Sequence, residues 1–236
     1  MGEIECRHKA ETQMSMAKNQ FTTEQESFWA GDFGDDYVAR NSSRDLLAAN
    51  THLFAKIMAR TSGVKSILEF GANIGMNLRA LKNLLPHAAM SAVEINPKAA
   101  EELAKLNGVT VYQESLLNSH VATAHDFVLF KGVLIHLNPE VLPQVYDLAL
   151  KSSNRYVCFV EYYSQTPVEV LYRGHQGKLF KRDFAGEFMT AHPEVRLVDY
   201  GFVYQRDPVF PLDDVNWFLM ENKNPSPCPL PKGRGD

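Results

Sequence analysis

The sequence predicts an α/β protein whose mostly parallel sheet is covered by helices on both faces. Three observations carry that prediction. Short apolar runs, "SILEF", "MSAVEI", "VTVY", "DFVLF" and "RYVCFVEYY", recur along the middle of the chain. Stretches with helical spacing near residues 76–85, 97–106 and 139–151 separate several of them, as βαβ units require. Finally, Gly71 and Gly75 lie where the first apolar run gives way to a helical pattern, so a tight turn joins a buried strand to a helix N-terminus.

The remaining elements follow in order. Residues 1–20 are polar and aperiodic and read as a flexible extension, with Met14 or Met16 as the effective start of the ordered part. "FTTEQESFWAGDFGDDYVARN" has a Thr-led acidic first turn and the aromatics Phe28, Trp29, Phe33 and Tyr37. It reads as two short helices about a glycine turn. Apolar residues at 46, 47, 53, 54, 57 and 58 predict an amphipathic helix. "VRLVDYGFVYQRD" and "DVNWFLMEN" are strand-like runs joined by "PVFPLD", an antiparallel pair closing the sheet. "NPSPCPLPKGRGD", residues 224–236, is Pro-rich and reads as disordered. One domain over 21–223 is expected, with a helical lid at 21–60 and a core at 61–223.

Composition narrows the function classes. The chain has 236 residues, a formal charge of −4, 45% hydrophobic and 22% charged residues, the profile of an ordinary soluble domain. No half of the chain is basic enough for general nucleic-acid binding, though a local patch could still bind an anion. Three widely spaced cysteines without a CxxC pair suit a reducing cytoplasm and argue against disulfides or structural zinc. Histidines are scattered and no carboxylates cluster with ligand spacing, so no metal is expected. The sequence lacks an apolar run long enough for a membrane span, and its start has no apolar segment suited to a signal peptide. A cytoplasmic protein is the expectation.

The glycine turn points to a nucleoside. A dinucleotide fingerprint places a third glycine where Asn73 stands, and Asn tolerates the positive φ but crowds a pyrophosphate. A P-loop is excluded because no Gly-Lys-Ser/Thr follows. Glu94 ends the second strand, 19 residues after Gly75, where a carboxylate accepts both hydroxyls of a ribose. The alternative for Glu94 is a charge complementing the helix that starts at Pro97. A nucleoside cofactor without phosphates satisfies these facts.

"LEFGANIGMN", "VEINPKA" and "LFKGVLIHLNPE" resemble the first, second and fourth motifs of class I S-adenosylmethionine-dependent methyltransferases. "FWAGDFGDDYVARN", "FGANIGMNL", "GVLIHLNP", "EYYSQTPVEVLYRGHQGKLFKRDFAGE" and "DYGFVYQRDPVFPLDDVNWFLME" are similar to the pseudaminic acid biosynthesis-associated methylases, over nearly the whole ordered chain. The resemblance implies a Rossmann-like fold with a seven-stranded sheet in the order 3-2-1-4-5-7-6, the last strand antiparallel. It also implies S-adenosylmethionine as cofactor.

On that frame Glu69 faces the amino acid end of the cofactor, Gly71, Ala72, Asn73 and Gly75 pass beside the methionine moiety, and Glu94 with Ile95 takes the ribose. Glu114, Ser115 and Leu116 hold the adenine, Lys131 and Gly132 flank the cofactor, and Trp29 and Tyr37 cover it as a lid. His136 and Glu161 are the two candidate bases for an acceptor hydroxyl or ammonium. Tyr162 and Tyr163 stand where the acceptor should enter. Arg173, His175, Lys178, Lys181 and Arg182 fall within ten residues of an otherwise acidic protein, a clamp for an anion or else a solvated basic face. Asp183 caps the following helix. The expected acceptor is a small anion such as a nonulosonic sugar or its nucleotide-activated precursor, methylated on oxygen or nitrogen. A protein substrate such as flagellin, with an acidic open groove, is one alternative; the others are a non-catalytic cofactor-binding regulator and a nucleotide-sugar or NAD-dependent oxidoreductase.

Overall fold

A computed structural model of the chain describes residues 21–38 and 43–223. The expected N-terminal extension, residues 39–42 of the expected lid and the Pro-rich tail lie outside the described residues. Two seven-residue helices, α1 (Glu24–Ala30) and α2 (Asp32–Val38), meet at Gly31. Thr23 opens α1 with a capping box: its hydroxyl accepts the Glu26 N–H, and Glu26 returns its carboxylate to the Thr23 N–H. Helix α3 (Arg44–Met58) follows, capped by Ser43.

The core alternates strands and helices: β1 (Ser66–Phe70), α4 (Met76–Leu84), β2 (Ala89–Glu94), α5 (Pro97–Ala104), β3 (Val109–Gln113), β4 (His125–Lys131), α6 (Leu142–Lys151) and β5 (Ser153–Glu161). A short pair, β6 (Val168–Glu169) and β7 (Phe180–Lys181), precedes α7 (Phe184–Ala191), β8 (Val195–Val203) and β9 (Val215–Asn222). The main sheet runs β3-β2-β1-β4-β5-β9-β8. Strand β9 is antiparallel to both neighbours, while β1 to β5 pair parallel. Setting aside the two-residue strands, this is the expected order, with the expected hairpin closing the sheet.

Chain direction across the sheet reverses between β1 and β4. The connections after these two strands leave towards opposite edges, and a crevice opens at their C-terminal ends. Buried side chains fill both faces. Leu53, Phe54 and Ile57 of α3 pack with Ile67, Phe127 and Leu129 on one side. On the other, Phe70 stacks on Phe130 at 4.8 Å between ring centroids, Phe159 meets Phe130 edge-on at 5.5 Å, and Phe188 of α7 completes the layer.

Three boundaries differ from the expectation. The fifth strand stops at Glu161, leaving Tyr162 and Tyr163 beyond it. The segment 139–151 splits into a 3-10 turn over Pro139–Val141 and then α6, with Pro143 in the first turn, where a missing N–H costs nothing. The basic run ends in β7, which pairs with β6 just ahead of the run; both strands are too short to show a period in sequence. Because Phe54 is wholly buried between α3 and the sheet, Phe54→Ala should cost about 3–5 kcal/mol of stability. Chemical denaturation checks this; a loss below about 1 kcal/mol would mean that the helix is not seated as described.

Candidate functional site

The turn after β1 is built for close backbone approach. Gly71, Asn73 and Gly75 all have left-handed φ, at 69°, 48° and 78°. A Cβ on Gly71 would stand 2.5 Å from Val133 Cγ2, and one on Gly75 would stand 2.5 Å from Leu106 Cδ1. The Gly71 N–H donates to the Val93 carbonyl at 2.8 Å, which holds the turn to the end of β2. There Glu94 is buried, and its carboxylate accepts the Asn73 N–H at 2.7 Å and the Asn96 N–H at 2.7 Å. Burial raises its pKa, and the N–H groups of Asn96, Asn73 and Ile95 oppose that rise by stabilising the anion.

Beside this turn lies a cavity. Gly71, Asn73, Glu94, Ile95, Glu114, Ser115, Leu116 and Gly132 border it, with Trp29 and Tyr37 closing it from α1 and α2. Asn96 ties α1 and α2 to this wall: it caps α5 through Oδ1, and its Nδ2 donates to the Trp29 carbonyl at 3.2 Å and to Asp35 at 2.9 Å. Lys98 pairs with the same Asp35 at 2.5 Å. At the far wall the Ser115 hydroxyl donates to the Glu26 carboxylate of α1. Glu114 is engaged with exposed His120, accepting its backbone N–H at 2.7 Å.

A second, wider cavity adjoins the first on the α3 side. Gly71, Asn73, Gly132, Tyr37 and His136 border both. Ala72, Lys131 and Tyr162 line the second, together with Asp45, Asn50, Asn77, Tyr172 and Asp213. The Tyr162 hydroxyl is hydrogen-bonded to Asp213; burial is the main reason its pKa rises. Asn50, Asn73 and Asn77 each have a buried side-chain oxygen without a partner. Glu69 lines neither cavity. It is fully buried beneath the turn, accepts the Asn77 amide at 2.6 Å, and has a pKa raised to about 8 by burial. Burial also lowers the pKa of Lys131, against the opposing charges of Glu69, Asp213 and Glu161.

His136 ends a 3-10 turn after β4 and is buried. Its Nδ1 lies 2.6 Å from the Lys178 carbonyl, and a carbonyl only accepts, so Nδ1 carries the proton and Nε2 keeps a free lone pair. Trp29 and Tyr172 pack on the ring at 4.6 and 4.9 Å between centroids. Burial pushes its pKa down to about 4, so the ring is a neutral base at pH 7.

Glu161 requires a correction. Expected as a base at the acceptor entrance, it is fully enclosed on the other face of the sheet, accepts the N–H groups of Val133 and Leu134 at 2.9 and 3.0 Å, and lines neither cavity. Burial lifts its pKa to about 7. It fixes the turn that carries His136.

The basic run also departs from expectation, because its side chains do not form one clamp. Arg173 is exposed at a turn with φ 50°, and His175 packs edge-on against Phe28 at 5.0 Å. Lys178 pairs with Glu24 at 3.3 Å, Lys181 lies over the Tyr162 ring at 4.8 Å, and Arg182 pairs with Glu187 at 2.8 Å. Tyr163 is exposed and bridges to Arg182 in the backbone. None of these six borders either cavity. Asp183 caps α7 as expected, accepting the Gly186 N–H at 2.8 Å.

The sequence reading missed Asn96, Glu26, Asn50, Asn77, Tyr172 and Asp213. Asn96 before Pro97 carries a helix N-cap signal, and Glu26 completes a Thr-x-x-Glu box. Asn50 interrupts the apolar face of α3, itself a sign of a polar group facing a site. Tyr172 and Asp213 sit in loops with no local signal.

No family model and no curated protein matches the chain. Solved structures share its fold. A SAM-dependent methyltransferase of Leishmania major aligns at TM-score 0.64 and 17% identity, over 87% of this chain and 89% of its own. Magnesium protoporphyrin IX methyltransferase from Synechocystis, solved with bound SAM, aligns at 0.61 and 14%, over 85% and 98%. The 1,6-didemethyltoxoflavin-N1-methyltransferase of Burkholderia thailandensis aligns at 0.59 and 15%, over 84% and 86%. The chain thus has the Rossmann-like fold seen in these methyltransferases. Among the described residues no group of three or more His, Cys, Asp or Glu could hold a metal, and no helix is long and apolar enough to cross a membrane.

The depressed pKa of His136 has a stability consequence. Between pH 6.5 and 4 the unfolded ring takes up a proton that the folded ring refuses, so the folded state loses stability as pH falls. Relative to His136→Gln, the wild type should lose about 3 kcal/mol from pH 7 to pH 4, since other titrations cancel in the difference. Thermal unfolding of both proteins across this range checks it; a gap that does not change with pH would mean that the ring titrates normally.

Proposed function

We propose that the protein is an S-adenosylmethionine-dependent methyltransferase acting on a small polar acceptor. One observation carries the reading: Glu94 presents a buried carboxylate to the first cavity, held there by the backbone N–H groups of Asn73, Asn96 and Ile95. Its remaining acceptor capacity is left for the hydroxyls of a ribose. The cavity passes the glycine turn into the second one, so a nucleoside bearing an amino acid side arm fits the space. The left-handed turn, the apolar Ile95 and Leu116, and the lid's Trp29 complete that fit. When bound, S-adenosylmethionine supplies a methyl group on a positively charged sulfur.

The chain's own residues do the rest. Gly71, Asn73 and Gly132 bring backbone to the junction of the cavities, and α1 and α2 exclude water. His136 stands at that junction, and its unprotonated Nε2 takes the proton that leaves the acceptor O–H or N–H as the methyl arrives. Tyr162, Tyr172, Asp213 and Asn50 offer hydroxyl-binding groups and an aromatic wall to the acceptor, and Lys131 offers a cation.

That lining, with the similarity to the pseudaminic acid-associated methylases, supports a nonulosonic sugar or its nucleotide-activated precursor as acceptor, with Lys131 meeting the acid group. A second reading is favoured by Asp45 and Asp213, which outnumber Lys131 among the charged lining residues: the acceptor is a donor-bearing side chain of a protein. A non-catalytic regulator is disfavoured because the second cavity is open beside the histidine.

Calorimetry with S-adenosylmethionine, S-adenosylhomocysteine and NAD tests the cofactor. The first two should bind, NAD should not, and Glu94→Ala should weaken binding at least tenfold; binding of NAD alone would contradict the reading. Methylation assays with nonulosonic sugars and with flagellin then separate the acceptors. On whichever is methylated, His136→Ala should lower kcat about a hundredfold at unchanged cofactor affinity, and a retained kcat would remove His136 as the base.

A further inference from the structure

We propose that Gln25 of the lid is a positioning residue for His136, so that docking of α1 sets the tautomer of the base. The inference rests on His136 acting as that base. Two hydrogen bonds on consecutive residues connect the groups. The Gln25 Nε2–H donates to the Gly177 carbonyl at 2.8 Å, and the adjoining Lys178 carbonyl accepts the His136 Nδ1–H at 2.6 Å. Gln25 is 7% exposed, although it is a polar residue in the first turn of a short helix.

The loop strand that offers these two carbonyls is held from its other side as well. The Glu169 carboxylate accepts the Gly177 N–H at 2.6 Å. Gly177 itself is left-handed, at φ 65°, a conformation that turns successive peptide groups without a Cβ penalty. The lid grips the same loop through Lys178, whose ammonium lies 5.4 Å from the Phe28 ring and 3.3 Å from the Glu24 carboxylate. Glu24 is 90% exposed, so that pair is weak; the buried amide of Gln25 is the stronger tie.

The consequence is a base assembled by closure. With α1 docked, the Lys178 carbonyl stays in line with Nδ1 and the lone pair of Nε2 is left for the acceptor. With α1 away, the carbonyl loses its support and the Trp29 ring leaves the imidazole, which then samples both tautomers in contact with water. Proton removal is thereby confined to the closed, water-excluding state. The ionisable groups on the elements around the ring are Glu24, Glu26 and Tyr37 of the lid, Tyr172 and Lys178 of the loop, and Lys131 and Glu161 of the strands beneath. None of them adds to burial and the Lys178 carbonyl as a cause of the ring's pKa.

Nitrogen-15 NMR of the histidine rings in the full chain tests this without a known acceptor. In the wild type, His136 should show a single neutral Nδ1–H tautomer down to about pH 5. Gln25→Met keeps the bulk of the side chain and removes the donor; it should give a mixture of tautomers and move the titration upward towards 6.5. Gln25→Ala should do the same, and Glu24→Gln should leave the spectrum unchanged. A wild-type ring spectrum in both Gln25 variants would overturn the proposal, as would an equal change in Glu24→Gln. Affinity for S-adenosylhomocysteine, measured by calorimetry on the same samples, separates the two levels: its absence in the wild type overturns the cofactor reading and leaves the ring result standing.

Discussion

The bond pattern around the Glu94 carboxylate is the constraint on which the rest of the site depends. A carboxylate buried at the end of a strand is costly unless hydrogen bonds compensate its lost hydration. Here the compensation comes from backbone N–H groups on separate turns, that of Asn73 after β1 and those of Ile95 and Asn96 before α5. One side chain therefore fixes the glycine turn relative to the neighbouring strand end. Asn96 extends the connection outward, because its amide reaches the Trp29 carbonyl and Asp35 in the lid. Floor, wall and cover of the first cavity share a single anchoring group.

A second consequence concerns the division of labour between the two cavities. The residues common to both are mostly backbone-presenting ones, Gly71, Asn73 and Gly132, joined by His136 and Tyr37. The junction of the cavities is thus bordered mainly by backbone, with one neutral imidazole beside it. Glu161 serves this arrangement indirectly. By capping the N–H groups of Val133 and Leu134 it holds the turn that presents the histidine, and its burial suits that task better than proton transfer to a ligand.

Much of the frame was legible in the sequence because it rests on local rules. The apolar runs, the glycines at 71 and 75, and the acidic end of β2 each follow from backbone requirements that a few neighbouring residues satisfy. The strand order is implied by the resemblance, and the sheet has that order. What sequence proximity did not reveal was side-chain direction. Arg173 to Arg182 are close along the chain, but two turns and a two-residue strand send their side chains to different neighbours. The parity of β5 holds the same lesson in a simpler form. Val160 faces the second cavity, so Glu161 must face the opposite side of the sheet. Asn50 and Asn77 carry no motif of their own, although a polar residue on an apolar helical face marks a place where something polar must be met.

The most direct test is a crystal structure of the full chain grown with S-adenosylhomocysteine. The expected result is density for the nucleoside in the cavity beside Glu94, with both ribose hydroxyls on the Glu94 carboxylate, the adenine between Ile95 and Leu116, and the amino acid arm passing Gly71 towards Asn77. Ligand density elsewhere, or a ribose turned away from Glu94, would contradict the site described here.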